Sequence, residues 1–489
     1  MTRTLNELAR REPDRVGWAW LDVPEEGDWT YGVAASRVGG VARELTRRGL
    51  AAGDRLAVVG GNHPEWVLLK EAAIQAGLTF VPVGSRLAPP ERDWILANAE
   101  PRLVLGDPAL APGAIAMEDW SWTRCVERAP LADVPVPSSA AQLLYTSGSS
   151  GRPKGVLRPR AGDQARVEQS IATYGLRASD VHLVAGPLYH SGPSIFSTIH
   201  RALGARQLVL AHFDGERVAR LAASGEISTL FLVPTQWRML LEAIRGGAPR
   251  PRLRVAWTAG SAIDVDTRLE LVELLGEGVL WEFYGTTETG TVTTLPPAKQ
   301  RSHAATVGFP EPNVTLAILD GNGSEPPLGT AGRVYVRSPT LMLDYHRGPG
   351  SEDEAPALRH GDYLSVGDWG YLAADGALTL IGREGGMIIT GGMNVYPEEV
   401  EGALRTLPQV REAVVFGLVD RKWGAAIAAV VEPVAGATLD AGELGAALRA
   451  RIAGFKVPKH WAIGAIPRTP SEKVIRDPAV LLALFGGVA

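Results

Sequence analysis

The chain has 489 residues, 45% apolar and 21% charged, which supplies a large core and excludes a globally disordered protein. Its 49 Lys and Arg stand against 54 Asp and Glu, a formal charge of −5, so attraction of a nucleic-acid backbone by charge alone is excluded. At roughly 150 residues per domain, the length calls for more than one folded unit.

The N-terminus, MTRTLNELARREPDRV, lacks the apolar stretch of a signal peptide, and no run approaches a membrane span. Cys125 is the single cysteine and can form no internal disulfide. A cytoplasmic protein with no membrane span is expected. Along residues 31–49, Ala34, Val38, Val41 and Leu45 recur at helical spacing. Arg55 to Val59 reads as a buried strand, Pro64 to Gly77 as a helix opened by proline, and Leu78 to Val83 as a second strand. That order implies a right-handed crossover in a largely parallel sheet. The alternation recurs with strands at Thr229 to Val233 and Arg254 to Thr258 and helices near 235–245 and 264–276.

After about residue 305 the texture changes. Short apolar runs at Val314 to Leu319, Gly332 to Val336 and Ala377 to Ile381 are divided by Gly, Asp and Pro, as hairpins of a small β subdomain would be. From Met387 on, a helix opens at Pro397 with Glu398, Glu399 and Glu401, followed by strands at Ala413 to Leu418 and Ala425 to Val431, a helix near 441–453 and a strand near 461–466. The expected fold is therefore α/β: a large N-terminal domain over residues 1–382, with mixed and parallel sheets, helices and the β subdomain, then a hinge at 383–386 and a smaller mobile α+β domain at 387–489.

The most informative stretch is Leu143 to Val156, LLYTSGSSGRPKGV. An apolar strand feeds hydroxyl and glycine residues and then a lysine, so amides and hydroxyls can wrap a phosphate while Lys154 adds positive charge. The GxxxxGK[ST] loop does not fit, because counting from Gly148 puts Pro153 where its second glycine belongs.

With this segment at Thr146 to Gly155, TSGSSGRPKG, the chain resembles the adenylate-forming superfamily of acyl- and aryl-CoA ligases, peptide-synthetase adenylation domains and luciferase. Four more motifs follow in family order: Tyr284-Gly285-Thr286-Thr287-Glu288, Ser365-Val366-Gly367-Asp368, Gly382-Arg383 with Gly391 to Glu401, and Pro467-Arg468-Thr469 with Lys473. The resemblance implies that a carboxylate attacks the α-phosphate of ATP, pyrophosphate leaves, and the acyl-adenylate passes its acyl group to a thiol. Thr146, Ser147, Gly148, Ser149, Ser150, Gly151 and Lys154 would hold phosphates. Glu288, with Thr146, offers hard oxygen to Mg2+. Tyr284 would face adenine, with Gly260, Ser261, Gly285, Thr286 and Thr287 around it. Asp368 and Arg383 suit the ribose hydroxyls, and Lys473 would offset the repulsion between acid and α-phosphate.

His190, Phe196, Trp237 and Phe283 become candidates for an acid pocket suited to an apolar or aromatic acid, and His190 reads equally as a structural histidine. Gly391 and Gly392, in the CoA-ligase form of their motif, favour CoA as acceptor, because glycine lets a pantetheine chain approach the backbone. A carrier-protein thiol or a nitrogen nucleophile is the alternative, a noncatalytic nucleotide-binding module is another, and a homodimer is left open. Three positions depart from the family pattern: Gly385 replaces the charged pivot, Glu472 replaces the glycine before the lysine, and Trp369 follows Asp368.

Overall fold

The computed structural model of the chain describes residues 3–87, 89–111, 114–116, 141–147, 153–159, 163–351, 356–383, 386, 388–390, 393–395, 397–420, 424–452, 454–469 and 474–485. Two compact units result: residues 1–262, 271–300 and 338–357 in the first, and 263–270, 301–337 and 358–489 in the second.

The first unit is built on two sheets. One is seven-stranded, in the order Asp344–Tyr345, Pro153–Pro159, Ala141–Ser147, Thr79–Gly84, Arg55–Gly60, Leu103–Gly106, Ile115–Ala116. Its centre is parallel, and the helix Pro64–Gln75 makes the crossover between Arg55–Gly60 and Thr79–Gly84. Strands covered on both faces need continuous apolar sequence, and Leu56 to Val59 are all fully buried. The other sheet carries, in order, Gly290–Leu295, Leu280–Thr286, Val255–Thr258, Thr229–Leu232, Val181–Val184, Arg206–Val209, Val16–Trp20 and Trp29–Thr30. The helix Tyr31–Arg47 follows directly, its first turn closed by the Val33 N–H donating to Thr30 Oγ1 at 3.2 Å.

The second unit holds the expected β hairpins as a six-stranded sheet, where Gly332–Arg337 pairs with Thr315–Leu319, Tyr363–Ser365 and Asp368–Leu372, and Asp368–Leu372 pairs with Leu378–Arg383. Its C-terminal part is a three-stranded sheet of Val410–Asp420, Gly424–Pro433 and His460–Ile463. Helices Pro397–Arg405 and Ala441–Arg449 bury Val400, Leu404, Leu444 and Leu448 against it. The second helix stops four residues short of the sequence expectation. Among the described residues no helix is long and apolar enough to cross a membrane.

Candidate active site

The phosphate segment begins on a hairpin. Strands Ala141–Ser147 and Pro153–Pro159 are antiparallel, with Thr146 opposite Lys154 and Ser147 opposite Pro153. Gly148, Ser149, Ser150 and Gly151 lie outside the described residues. Gly155 permits close packing: a Cβ there would stand 3.0 Å from Leu143 Cδ1 and 3.1 Å from His346 Cβ. On the far side of Pro153–Pro159 runs the short strand Asp344–Tyr345, with Tyr345 opposite Val156.

That strand joins the hairpin to Glu288. The Lys154 ammonium lies 5.3 Å from the centre of the Tyr345 ring, within cation–π range, and Tyr345 donates its hydroxyl to Glu288 Oε1 at 3.3 Å. Glu288 is buried, at 5% exposure, and its carbonyl accepts the Met342 N–H at 2.7 Å. Arg158, on the hairpin, donates to the carbonyls of Thr287 and Thr340. The turn is closed internally: Thr286 N–H donates to Thr289 Oγ1 at 3.1 Å, and Thr289 N–H donates to Thr286 Oγ1 at 3.2 Å. Thr146 and Lys154 of one motif and Thr287 and Glu288 of another are thus linked through the hairpin, the strand Asp344–Tyr345 and side-chain hydrogen bonds to the turn after Leu280–Thr286.

The aromatic motif sits on strand Leu280–Thr286, with Tyr284 opposite Thr293 and a bulge between Tyr284 and Gly285. Gly285 is required there, because a Cβ would fall 2.0 Å from the Gly290 carbonyl oxygen. Gly260 follows strand Val255–Thr258 at φ +93°, a conformation open to glycine, and it and Ser261 are exposed.

In the second unit, Asp368 and Arg383 stand directly opposite each other on paired strands, so the two ribose candidates share one position in the sheet. Lys473, Gly391 and Gly392, together with Gly385, Glu472 and Cys125, lie outside the described residues.

His190 takes the N-cap position of helix Ser191–Leu203 at φ −92° and ψ 146°, its ring 4.6 Å from that of Tyr189. The helix carries Phe196 into an aromatic cluster, 5.0 Å from Phe231, 4.4 Å from Trp257 and 5.9 Å from Phe283 between ring centres. Trp237 is a core residue, fully buried with its indole N–H donated to the Trp257 carbonyl at 3.1 Å.

Behind this cluster lies a feature that sequence reasoning missed. His182 and His200 are stacked 4.2 Å apart, both buried, and share the Thr229 hydroxyl at 3.0 Å each. His200 Nδ1 must donate to the Phe196 carbonyl, 2.7 Å away, so in the neutral ring Nε2 accepts from Thr229, whose oxygen accepts from His182 Nδ1. Burial pushes the His200 pKa down to about 4 and lowers that of His182 well below the ordinary value, which keeps both neutral. Tyr345 and Arg158 were missed as well. Their signal is spatial, since neither belongs to a motif.

The family model described as AMP-binding enzyme matches residues 5–346, and that of the AMP-binding enzyme C-terminal domain matches 399–473. An indoleacetate–CoA ligase of Aromatoleum aromaticum is 32% identical over 92% of this chain and 92% of its own length. A feruloyl-CoA synthase of an Amycolatopsis species is 31% identical over 91% and 92%. Among solved structures, ATP-bound MatB from Rhodopseudomonas palustris is similar with a TM-score of 0.85 and 26% identity, covering 99% of both chains.

Proposed function

The chain belongs to the AMP-binding enzyme family, and from that premise we infer that it is an AMP-forming acid–thiol ligase: it joins a carboxylic acid to AMP with release of pyrophosphate, then transfers the acyl group to CoA. The carrying observation is the linkage of Thr146 and Lys154 through Tyr345 to Glu288. It supports a site where cationic and hydroxyl groups meet a triphosphate beside a buried carboxylate.

Glu288 and Thr146 present oxygen donors, which fits Mg2+ bound with the nucleotide, and the ion would neutralise charge on the phosphates. Thr146, Ser147, Lys154 and the glycine and serine residues between them hold the β- and γ-phosphates. Tyr284 covers adenine beside Gly260 and Ser261, while Asp368 accepts from the ribose hydroxyls and Arg383 donates to the sugar. Lys473 draws the acid carboxylate and the α-phosphate together against their repulsion. Pyrophosphate leaves with the electron pair of the cleaved P–O bond, and the CoA thiolate then displaces AMP from the acyl carbon. The division at residues 383–386 is proposed as the hinge between the two steps, and a cytoplasmic setting with free ATP and CoA suits the chemistry.

The acid is proposed to be aromatic. Phe196, Phe231 and Phe283 supply a cluster of ring faces beside the helix capped by His190, and the two relatives are named for indoleacetate and ferulate. Incubating the protein with ATP, Mg2+, CoA and a panel of arylacetic, cinnamic and aliphatic acids tests this by mass spectrometry. Aryl-CoA thioesters are expected. Product only with an amine or a carrier protein would exclude CoA, and preference for aliphatic acids would exclude the aromatic assignment.

A further inference from the structure

Helix Ser191–Leu203 and strand Thr229–Leu232 meet along two matched rows of side chains. Phe196 and His200 lie one turn apart on one face of the helix, about 6 Å along its axis. Thr229 and Phe231 lie two residues apart on one face of the strand, about 6.6 Å along it. Because the two spacings nearly agree, both contacts form at once: the Phe196 ring stacks on that of Phe231 at 5.0 Å, and the Thr229 hydroxyl donates to His200 Nε2 at 3.0 Å. The neighbouring strands continue each row. His182 is paired with Thr229 and stacks on His200 at 4.2 Å, while Trp257 is paired with Phe231 and lies 4.4 Å from Phe196.

The two contacts constrain the helix unequally. Aromatic rings attract over centre separations of about 4.5–7 Å, whereas a hydrogen bond to nitrogen holds its heavy atoms at about 2.7–3.2 Å and weakens steeply with misalignment. Ring stacking alone would let the helix slide; the polar contact does not. Burying a threonine and two histidines beside aromatic rings costs free energy unless they bond one another, and fixing register is the use to which packed helices put such buried polar contacts. All six side chains are buried, while Phe283, 5.9 Å from Phe196, is partly exposed. The histidine end is therefore closed and acts through Phe196.

We propose that the His200–Thr229 hydrogen bond is a positioning device for the acid pocket: it sets the register of the helix, holds Phe196 over Phe231, and thereby fixes the ring surface that selects an aromatic acid. The proposal rests on the aromatic-acid reading above. Thr229→Val keeps the shape and removes the hydroxyl, and Thr229→Ser retains it. His200→Gln is long enough to accept from Thr229, and His200→Asn, one carbon shorter, is not. Either pair alone decides the matter should a member of the other fail to fold.

The test measures ATP–pyrophosphate exchange on the full-length variants with indole-3-acetate or ferulate, whichever the unaltered chain turns over, and with octanoate. A merely structural loss lowers the active fraction, which scales kcat for every acid and leaves each KM in place. Loss of register should instead raise the KM for the aryl acid about tenfold in Thr229→Val and His200→Asn, cut the preference for it over octanoate about tenfold, and leave the KM for ATP within about twofold. Thr229→Ser and His200→Gln should keep all three within about twofold of the unaltered chain. An unchanged aryl-acid KM in Thr229→Val or His200→Asn, an equal loss for both acids, or Thr229→Ser and His200→Gln behaving like their counterparts overturns the positioning role and leaves the aromatic reading standing. An unaltered chain that exchanges with no aryl acid refutes that reading and this proposal with it.

Discussion

Tyr345 donates its hydroxyl to Glu288 at 3.3 Å from a strand of two residues that pairs with the phosphate hairpin. Glu288→Gln preserves size and removes the charge, so pyrophosphate exchange should fall ~100-fold and require more Mg2+. Tyr345→Phe removes one donor and should lower exchange about tenfold or less. Initial rates across a Mg2+ series check both, and an unaltered Mg2+ requirement in Glu288→Gln would detach that carboxylate from the metal.

Lys154 lies opposite Thr146 and over the Tyr345 ring. Lys154→Met should raise the KM for ATP by about tenfold, through loss of a charge-assisted phosphate contact, and leave the KM for the acid near its original value. Steady-state kinetics with each substrate varied in turn separates the two.

The fold itself can be probed at two glycines. Gly285→Ala would set a Cβ 2.0 Å from the Gly290 carbonyl oxygen, so a loss of about 3 kcal/mol is expected in urea unfolding. Gly402, inside helix Pro397–Arg405, has no atom within 4 Å of its added Cβ, and Gly402→Ala should stabilise the helix by about 0.5–1 kcal/mol.

The stacked histidines carry a pH dependence. His200 has a folded pKa of about 4 against an ordinary value of 6.5, so the unfolded chain binds the proton more readily. Stability is then fully present above about pH 6.5 and is lost as pH falls towards about 4. The melting temperature should drop across that window, and His200→Gln should flatten the drop while lowering stability at neutral pH. An equally steep profile in the variant would assign the acid sensitivity to other groups.

Much of the fold is legible in sequence, because buried parallel strands and their helices leave continuous apolar runs between glycine and proline. Arg55 to Val59 and Pro64 to Gly77 emerge as Arg55–Gly60 and Pro64–Gln75. Strand order is not legible: Val16–Trp20 pairs with Arg206–Val209, a partner nearly two hundred residues away that no local pattern names. The same holds at the site. Thr146, Glu288 and Asp368 stand in motifs, whereas Tyr345 acquires its place only from pairing with the hairpin, and Glu401, though it closes a motif, shows its partner Arg476 only in the fold. Trp237 offered an aromatic ring to a pocket by sequence, yet the structure buries it with its N–H bonded inside the core.

Isotope exchange between labelled pyrophosphate and ATP, run on the unaltered chain and on Lys473→Ala, tests the activation chemistry most directly. Exchange should require both Mg2+ and an aryl acid, and the variant should lose it ~100-fold while still binding ATP. ATP binding without acid-dependent exchange in the unaltered chain, over the whole acid panel, would contradict the account.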